Sequence, residues 1–209
     1  MSFEPQEIIT SHDQLRSIMK QPSAYVAEKD LGRINDVARA FIAMSPFVVV
    51  ATKGGDGLFD LSPKGDPAGF VEVYDDKTLL LPDRLGNFRL DTFENLLTDP
   101  GLALIFLIPG HTETLRVAGR GSIVRDPAAQ QRHAVNGRQP DLLLAVQVEQ
   151  VFMHCSKSLV RSRLWQQETW PERRAAPTLA QWNHAVNAQD KPVELLQSWH
   201  DEDAANRLY

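Results

Sequence analysis

Arg84, Gly86, Asn87 and Arg89 stand together between an apolar run and a helical stripe. The run is Leu79-Leu80-Leu81, preceded by Thr78 and cut at Pro82; the stripe is Leu90, Phe93, Leu96 and Leu97, stopped by Asp99-Pro100. The spacing predicts a strand, a glycine-containing loop and a helix, with guanidinium groups at the helix start. Unpaired N–H groups and the positive end of the helix dipole favour an anion there, and arginine adds a fork that fits phosphate. A solvated turn with ordinary surface charge has the same composition.

Other groups could join such a site. Ser62-Pro63-Lys64-Gly65 offers a hydroxyl, a cation and exposed N–H groups in a short segment, which as a plain surface turn needs no function. Thr114 and Arg116 share one face of an extended segment, and Glu113 takes the other. Lys157 and Arg161 are four apart on a helical stretch and share a face. The histidines, His12, His111, His133, His154, His184 and His200, are spread singly along the chain without metal-ligand spacing, so no metal is expected. His154 and Cys155 are adjacent on an extended stretch and point apart, which argues against a nucleophile–base pair. Cys155 is expected to be a small buried apolar group. No GxGxxG, GxxxxGK[ST] or GxSxG is present, which leaves dinucleotide-binding, P-loop and hydrolase-elbow chemistry unsupported.

The elements that must hold these residues are mostly strands. Phe47–Thr52 is a continuous apolar and β-branched run, ended by the turn Gly54-Gly55-Asp56-Gly57. Leu58–Leu61 resumes extended, and Ser62–Pro67 reads as a second loop. Phe70–Tyr74 and Thr78–Leu81 flank Asp75-Asp76-Lys77 as a hairpin. Gly101–Ile108 is another strand, Glu113–Ala118 and Gly121–Arg125 follow around Gly119, and Leu142–Cys155 is a long extended segment. Helices are expected after Ser11, along the Leu31, Ile34, Val37, Ala38, Phe41, Ile42 stripe, over Ala128–Val135 and over Ser156–Trp165. Two more fall near Thr178–Gln189 and Pro192–His200. Sequential strands joined by tight turns, with one helix inserted early, favour a mostly antiparallel closed or half-closed barrel over a doubly wound sheet. The expected organisation is N-terminal helices over 1–45, a barrel over 46–165 and a helical appendage over 166–209.

The whole chain sets bounds. Its 209 residues suffice for a substantial core, and 43% hydrophobic with 23% charged residues is ordinary globular composition. A formal charge of −5 argues against nucleic acid as a partner. A single cysteine rules out an internal disulfide and suits a reducing compartment. With no secretory leader and no long apolar stretch, a cytoplasmic protein without membrane attachment is expected.

Taken in order, Asp60–Phe70 (DLSPKGDPAGF), Leu81–Pro100 (LPDRLGNFRLDTFENLLTDP), Gly101–Gly121 and Val151–Trp165 (VFMHCSKSLVRSRLW) resemble the pyridoxamine 5′-phosphate oxidase-like, FMN-binding split-barrel family, within it a bacterial branch of FMN-dependent enzymes. The resemblance spans about Phe41 to Trp165. It implies a mainly β fold with flanking helices, a six-stranded antiparallel split barrel, and a homodimer with FMN at the subunit interface. It places Ser62, Pro63, Lys64 and Gly65 near the flavin's polar edge or phosphate, and Asp83, Arg84, Asn87 and Arg89 at the phosphate loop. Leu81 and Pro82 would run along the ring and ribityl chain. Thr114, with Arg116 on its face, would approach the ring from the other subunit, at a position where an amide side chain is typical; Lys157 and Arg161 would complete the pocket from the partner. The implied activity is FMN-dependent oxidoreduction of a small organic substrate, with NAD(P)H as an electron source. The alternatives are a non-catalytic protein binding flavin, deazaflavin or haem, and a dimeric barrel with no cofactor in which the arginine cluster is structural. The oxidase's carboxy-terminal substrate pattern is missing: Trp170-Pro171-Glu172-Arg173-Arg174 has aromatic and basic members in a different arrangement, which argues against vitamin B6 oxidation.

Overall fold

A computed structural model describes residues 2–172 and 175–209. The chain forms two compact units, Met1–Asp30 and Leu31–Tyr209. In the first, the Ser11 hydroxyl caps α1 (His12–Ile18) by accepting from the Gln14 N–H at 3.2 Å. The Gln14 side chain accepts in turn from the Thr10 N–H, one residue ahead of a regular capping box. α2 (Ala24–Ala27) is a single turn, and neither helix buries a residue.

The second unit begins with Leu31 bridged to Val151 through reciprocal main-chain bonds of 2.9 and 2.6 Å. The stripe expected to be helical from Leu31 becomes helix only at α3 (Asp36–Met44), because the Asn35 side chain caps the Ala38 N–H at 2.9 Å. Its buried face is Ala38, Phe41 and Ile42. The seven strands that follow are β1 (Phe47–Lys53), β2 (Phe59–Gly65), β3 (Glu72–Val73), β4 (Thr78–Pro82), β5 (Gly101–Leu107), β6 (Thr114–Val124) and β7 (Leu143–His154). Every pairing is antiparallel, in the order β2-β1-β5-β6-β7-β4-β3. That is one strand more than the resemblance implies; the two-residue β3 lies at the end of the order beside β4.

α4 (Asp91–Thr98) connects β4 to β5, and α5 (Pro127–Arg132) lies between β6 and β7. After β7 come α6 (Lys157–Ser162), α7 (Leu179–Val186) and α8 (Val193–Asn206). Alternation along the strands sends Val48, Val50, Leu104, Phe106, Leu115, Val117, Val146 and Val148 to one face, where Ile42, Phe93 and Leu96 close over them. Full burial of such side chains contributes about 1.5–3 kcal/mol each. Leu80, Leu143 and Ala129 form a smaller cluster around α5. Among the described residues no helix is long and apolar enough to cross a membrane.

Three local expectations change. Ser62–Gly65, read as loop, continues β2 in register with β1, Val49 opposite Pro63 and Val48 opposite Lys64. β2 lies at the end of the sheet order, where a proline without an N–H is tolerated. The break at Gly119 is absent, and β6 runs unbroken past a bulge between Ala118 and Gly119. Glycine is required there because a Cβ would stand 2.0 Å from the Gln147 carbonyl oxygen. Cys155 is exposed, since β7 ends at His154 and the turn into α6 carries the thiol out of the core.

Gly119→Ala should therefore destabilise the protein by about 3 kcal/mol, the upper range for overpacking, because the obstruction is rigid backbone. Chemical denaturation of the variant against the parent measures this.

Candidate functional site

The residues of the phosphate-loop reading converge on one cleft of about 550 Å³. One wall is β2, whose Asp60, Ser62 and Lys64 alternate onto the half-buried side while Phe59, Leu61 and Pro63 take the exposed side. The opposite wall is the segment from Asp83 to Phe93, and residues 138–141 with Tyr209 complete the rim. The two walls are tied together. Thr92 donates to Asp60 at 3.1 Å, and Asn95 donates to the buried Thr52 hydroxyl at 3.1 Å, so α4 is fastened to β2 and β1. Phe93 and Leu96 bury the other side of the same helix.

The loop entering α4 is conformationally unusual. Phe88 and Leu90 have φ of 60° and 58°, a left-handed backbone that L side chains disfavour. Leu90 occupies the cap position of α4, and no side chain caps that helix start. Asn87 accepts from the Arg89 N–H at 3.1 Å and stabilises the turn between them.

Lys64, Arg84 and Arg89 each have a carboxylate partner, and the pairs differ in strength. Arg84 donates to Asp66 at 2.6 Å and to the His133 carbonyl at 2.9 Å, and the Asp66 side chain is only 1% exposed. Removing one member of so enclosed a pair leaves an uncompensated charge, so Arg84 is a structural clamp. Arg89 meets Asp91 at 2.7 Å with both groups open to water, and Lys64 is 3.9 Å from Asp83. These looser pairs are readily exchanged for another anion. Burial raises the Asp83 carboxyl above its ordinary 3.8; Lys64 works against the rise, Asp141 adds to it and Arg84 opposes it. Beside the cleft, Glu72 receives Arg132 and His133, the latter at 3.0 Å, and burial lowers the imidazole pKa below 6.5 despite that carboxylate.

Ser62, Pro63, Lys64, Asp83, Arg84, Asn87 and Arg89 line the cleft. Gly65 ends β2 just beyond it. Leu81 and Pro82 are buried, Leu81 within the main core, and lie behind the cleft wall. Thr114 and Arg116 are elsewhere on β6: Thr114 is buried opposite His154, and the Arg116 guanidinium sits 5.4 Å from the Phe152 ring centre. Lys157 and Arg161 are exposed on α6. Sequence reasoning missed Asp66, Arg138, Asp141 and Tyr209. Asp66 was visible beside the Ser62–Gly65 segment, but nothing local signals that Tyr209, 143 residues away, donates to its carboxylate at 2.6 Å. Among the described residues no set of His, Cys, Asp and Glu is grouped to hold a metal ion, and Arg173 and Arg174 of the Trp170 motif lie outside the described residues.

A family model described as pyridoxamine 5′-phosphate oxidase matches residues 34–155. The chain belongs to that family. The match takes in all seven strands and α4, and stops before α6, α7, α8 and Tyr209. No curated protein sequence matches the chain. Among solved structures, HupZ of Group A Streptococcus is 19% identical with a TM-score of 0.49, over 57% of this chain and 93% of its own. A Clostridium acetobutylicum protein related to general stress protein 26 is 15% identical with a TM-score of 0.42, over 59% and 94%. An F420 reductase is 15% identical with a TM-score of 0.41, over 58% and 98%. The antiparallel sheet with flanking helices is the split-barrel architecture expected from the resemblance.

Because the folded chain raises the Asp83 pKa, its ionised form opposes folding and its protonated form does not. Asp83→Asn should raise the thermal midpoint at neutral pH, and the gain should vanish as pH falls below 3.8. Thermal melts of both proteins across that range check the sign.

Proposed function

We propose that this chain is an FMN-binding flavoprotein that acts as an oxidoreductase on a small organic substrate, two copies pairing to complete shared flavin sites. The observation that carries this reading is the meeting of Ser62, Lys64, Asn87 and Arg89 around one cleft in a chain of the pyridoxamine 5′-phosphate oxidase family.

The donor set suits the group. A phosphate dianion needs two or three charge-assisted contacts, and Lys64 and Arg89, with the Ser62 hydroxyl and the Asn87 amide, supply that number without disturbing the Arg84 clamp. Exchange of Asp83 and Asp91 for the phosphate keeps each cation compensated. Leu85, Phe88 and Leu90 give the same cleft apolar surface for a ring system. FMN, when bound, supplies the hydride chemistry, with a nicotinamide as electron source in this reading. The chain's own residues bind the phosphate and shield the ring from water.

Pairing of two copies is supported by the sheet face turned away from the core. Pro63, Val49, Ile105, Arg116 and Phe152 form one row across five strands, and Leu61, Ala51, Ala103, Ala118 and Gln150 form the next. A largely apolar face of this breadth is normally covered. A second copy seated there would meet Arg116, beside the buried Thr114, and would bring α6 with Lys157 and Arg161 toward the neighbouring site.

Titration of the purified protein with FMN, followed by flavin fluorescence, should show saturable binding, and Arg89→Ala should raise the dissociation constant about ten- to a hundredfold, the scale of a lost hydrogen bond to a charged group. Unchanged affinity would remove Arg89 from the site. Anaerobic bleaching of the bound flavin by NADH or NADPH separates an enzyme from a binding protein. For the pairing, Ile105→Asp should shift the protein toward monomer in analytical ultracentrifugation and reduce flavin retention; an unaltered dimer would place the interface elsewhere.

A further inference from the structure

The hairpin of α7 and α8 has two unlike sides. Between the helices Ala180, Ala188 and Leu196 are buried with Val193 against them, and Asn183 meets His200 at 3.2 Å. On one side Gln181 of α7 stands with Glu194, Gln197 and Asp201 of α8 along a polar groove. Helical spacing puts Leu179, Trp182 and Val186 in one row on α7, and Leu195 and Trp199 in one row on α8. None of these five lines the polar groove, and all are exposed, Trp182 at 67% and Trp199 at 49%. They make a patch of roughly 500 Å², near the upper end of what a lone soluble protein leaves uncovered.

Charge selects the occupant. From Thr178 to Asn206 one lysine stands against five carboxylates. Glu202 and Asp203 follow Trp199 on its own face at the C-terminal end of α8, where the helix dipole favours cations, and the last turn of α8 holds no basic residue. Such a rim repels anionic lipid and fits a basic partner with apolar side chains among its cations. The chain itself carries that surface on α6. Lys157, Val160 and Arg161 share one exposed face, with the exposed Leu164 just past the helix end. Among the described residues neither cation meets a carboxylate. α6 begins shortly after β7, whose Phe152 belongs to the outward row that pairing of two copies would cover. The residues after α8 reach the cleft rim, where Tyr209 meets Asp66. A second copy that brings its α6 toward the cleft therefore comes to the hairpin.

We propose that the apolar side of the α7–α8 hairpin seats α6 of a second copy, with Lys157 and Arg161 of one chain against Glu202 and Asp203 of the other, the contact being made twice about a two-fold axis. Asp203 is free to change partner, since its pair with Arg207 is open to water. Two such contacts would bury on the order of 2,000 Å², what a stable dimer needs. This rests on two copies pairing, as read above, but not on the outward sheet face and not on FMN.

Analytical ultracentrifugation of the flavin-free chain tests it. Trp199→Ala should raise the dimer dissociation constant about tenfold or more, the scale of a central interface tryptophan. Arg161→Glu and Glu202→Arg should each raise it about fivefold, and the two together in one chain should return it to within about twofold of the parent, because the reversed pair attracts again. All four positions are exposed side chains on helices, and the charge swap carries the test if the tryptophan variant is unstable. A monomeric parent, or reversals whose losses add without recovery, would overturn the proposal. A dimer that every substitution leaves unchanged would assign this face to a different partner and overturn it as well. Recovery by the swap in a protein whose dimer survives Ile105→Asp would keep the hairpin contact and discard the sheet face. Since no flavin is present, a failed FMN titration would leave that recovery standing.

Discussion

The hydrogen bonds from Thr92 to Asp60 and from Asn95 to Thr52 fasten α4 to β1 and β2, and the shape of the cleft depends on them. β2 has a strand neighbour on one side only, the seven-residue ladder to β1, and α4 braces its other side. The helix in turn is pressed inward by Phe93 and Leu96. One short element therefore fixes both walls: it holds β2 at a set distance, and its own N-terminus defines where the Asp83–Leu90 segment must land. Thr92, Phe93, Asn95 and Leu96 explain in physical terms why that stretch carries its pattern of hydroxyl, aromatic, amide and aliphatic residues.

Charge in the cleft is balanced before any ligand arrives, and the balance is graded. Arg84 is enclosed with Asp66 and shapes the loop; Lys64 and Arg89 are held loosely and can turn to a new anion. The acidic first turn of α4, Asp91 and Glu94, already satisfies part of the helix dipole. In the proposed function an arriving phosphate would exchange partners with these carboxylates, Lys64 turning from the half-buried Asp83 and Arg89 from the exposed Asp91.

Much of the architecture was legible in the residues. The continuous runs of β1 and β5, the Phe41–Ile42 and Phe93–Leu96 stripes, and the loop between Pro82 and Leu90 each carry their own local signal, and the family resemblance they support agrees with the matched family model. What escaped was non-local. Pro63 and Gly65 spell a turn unless β2 is known to lie at the end of the sheet, and Gly119 spells a break unless the Gln147 carbonyl is known to press against it. Cys155 looked apolar because the end of β7 falls one residue earlier than expected. The pairing of Tyr209 with Asp66 exists only in three dimensions. At the site, the position of Lys64, Asn87 and Arg89 around one opening could be anticipated, while the pairing of Lys64, Arg84 and Arg89 with carboxylates could not.

The left-handed backbone at Phe88 and Leu90 has a consequence for how this molecule comes apart. Each holds roughly 1–2 kcal/mol of unfavourable conformational energy against the loop, and both side chains are largely exposed, at 69% and 46%, so they recover little through burial. The sheet and α4 impose that geometry from outside. Warming or mild denaturant will therefore release this corner while the ladder of β5, β6 and β7 still stands, and the cleft wall will come apart as a local event well before the fold.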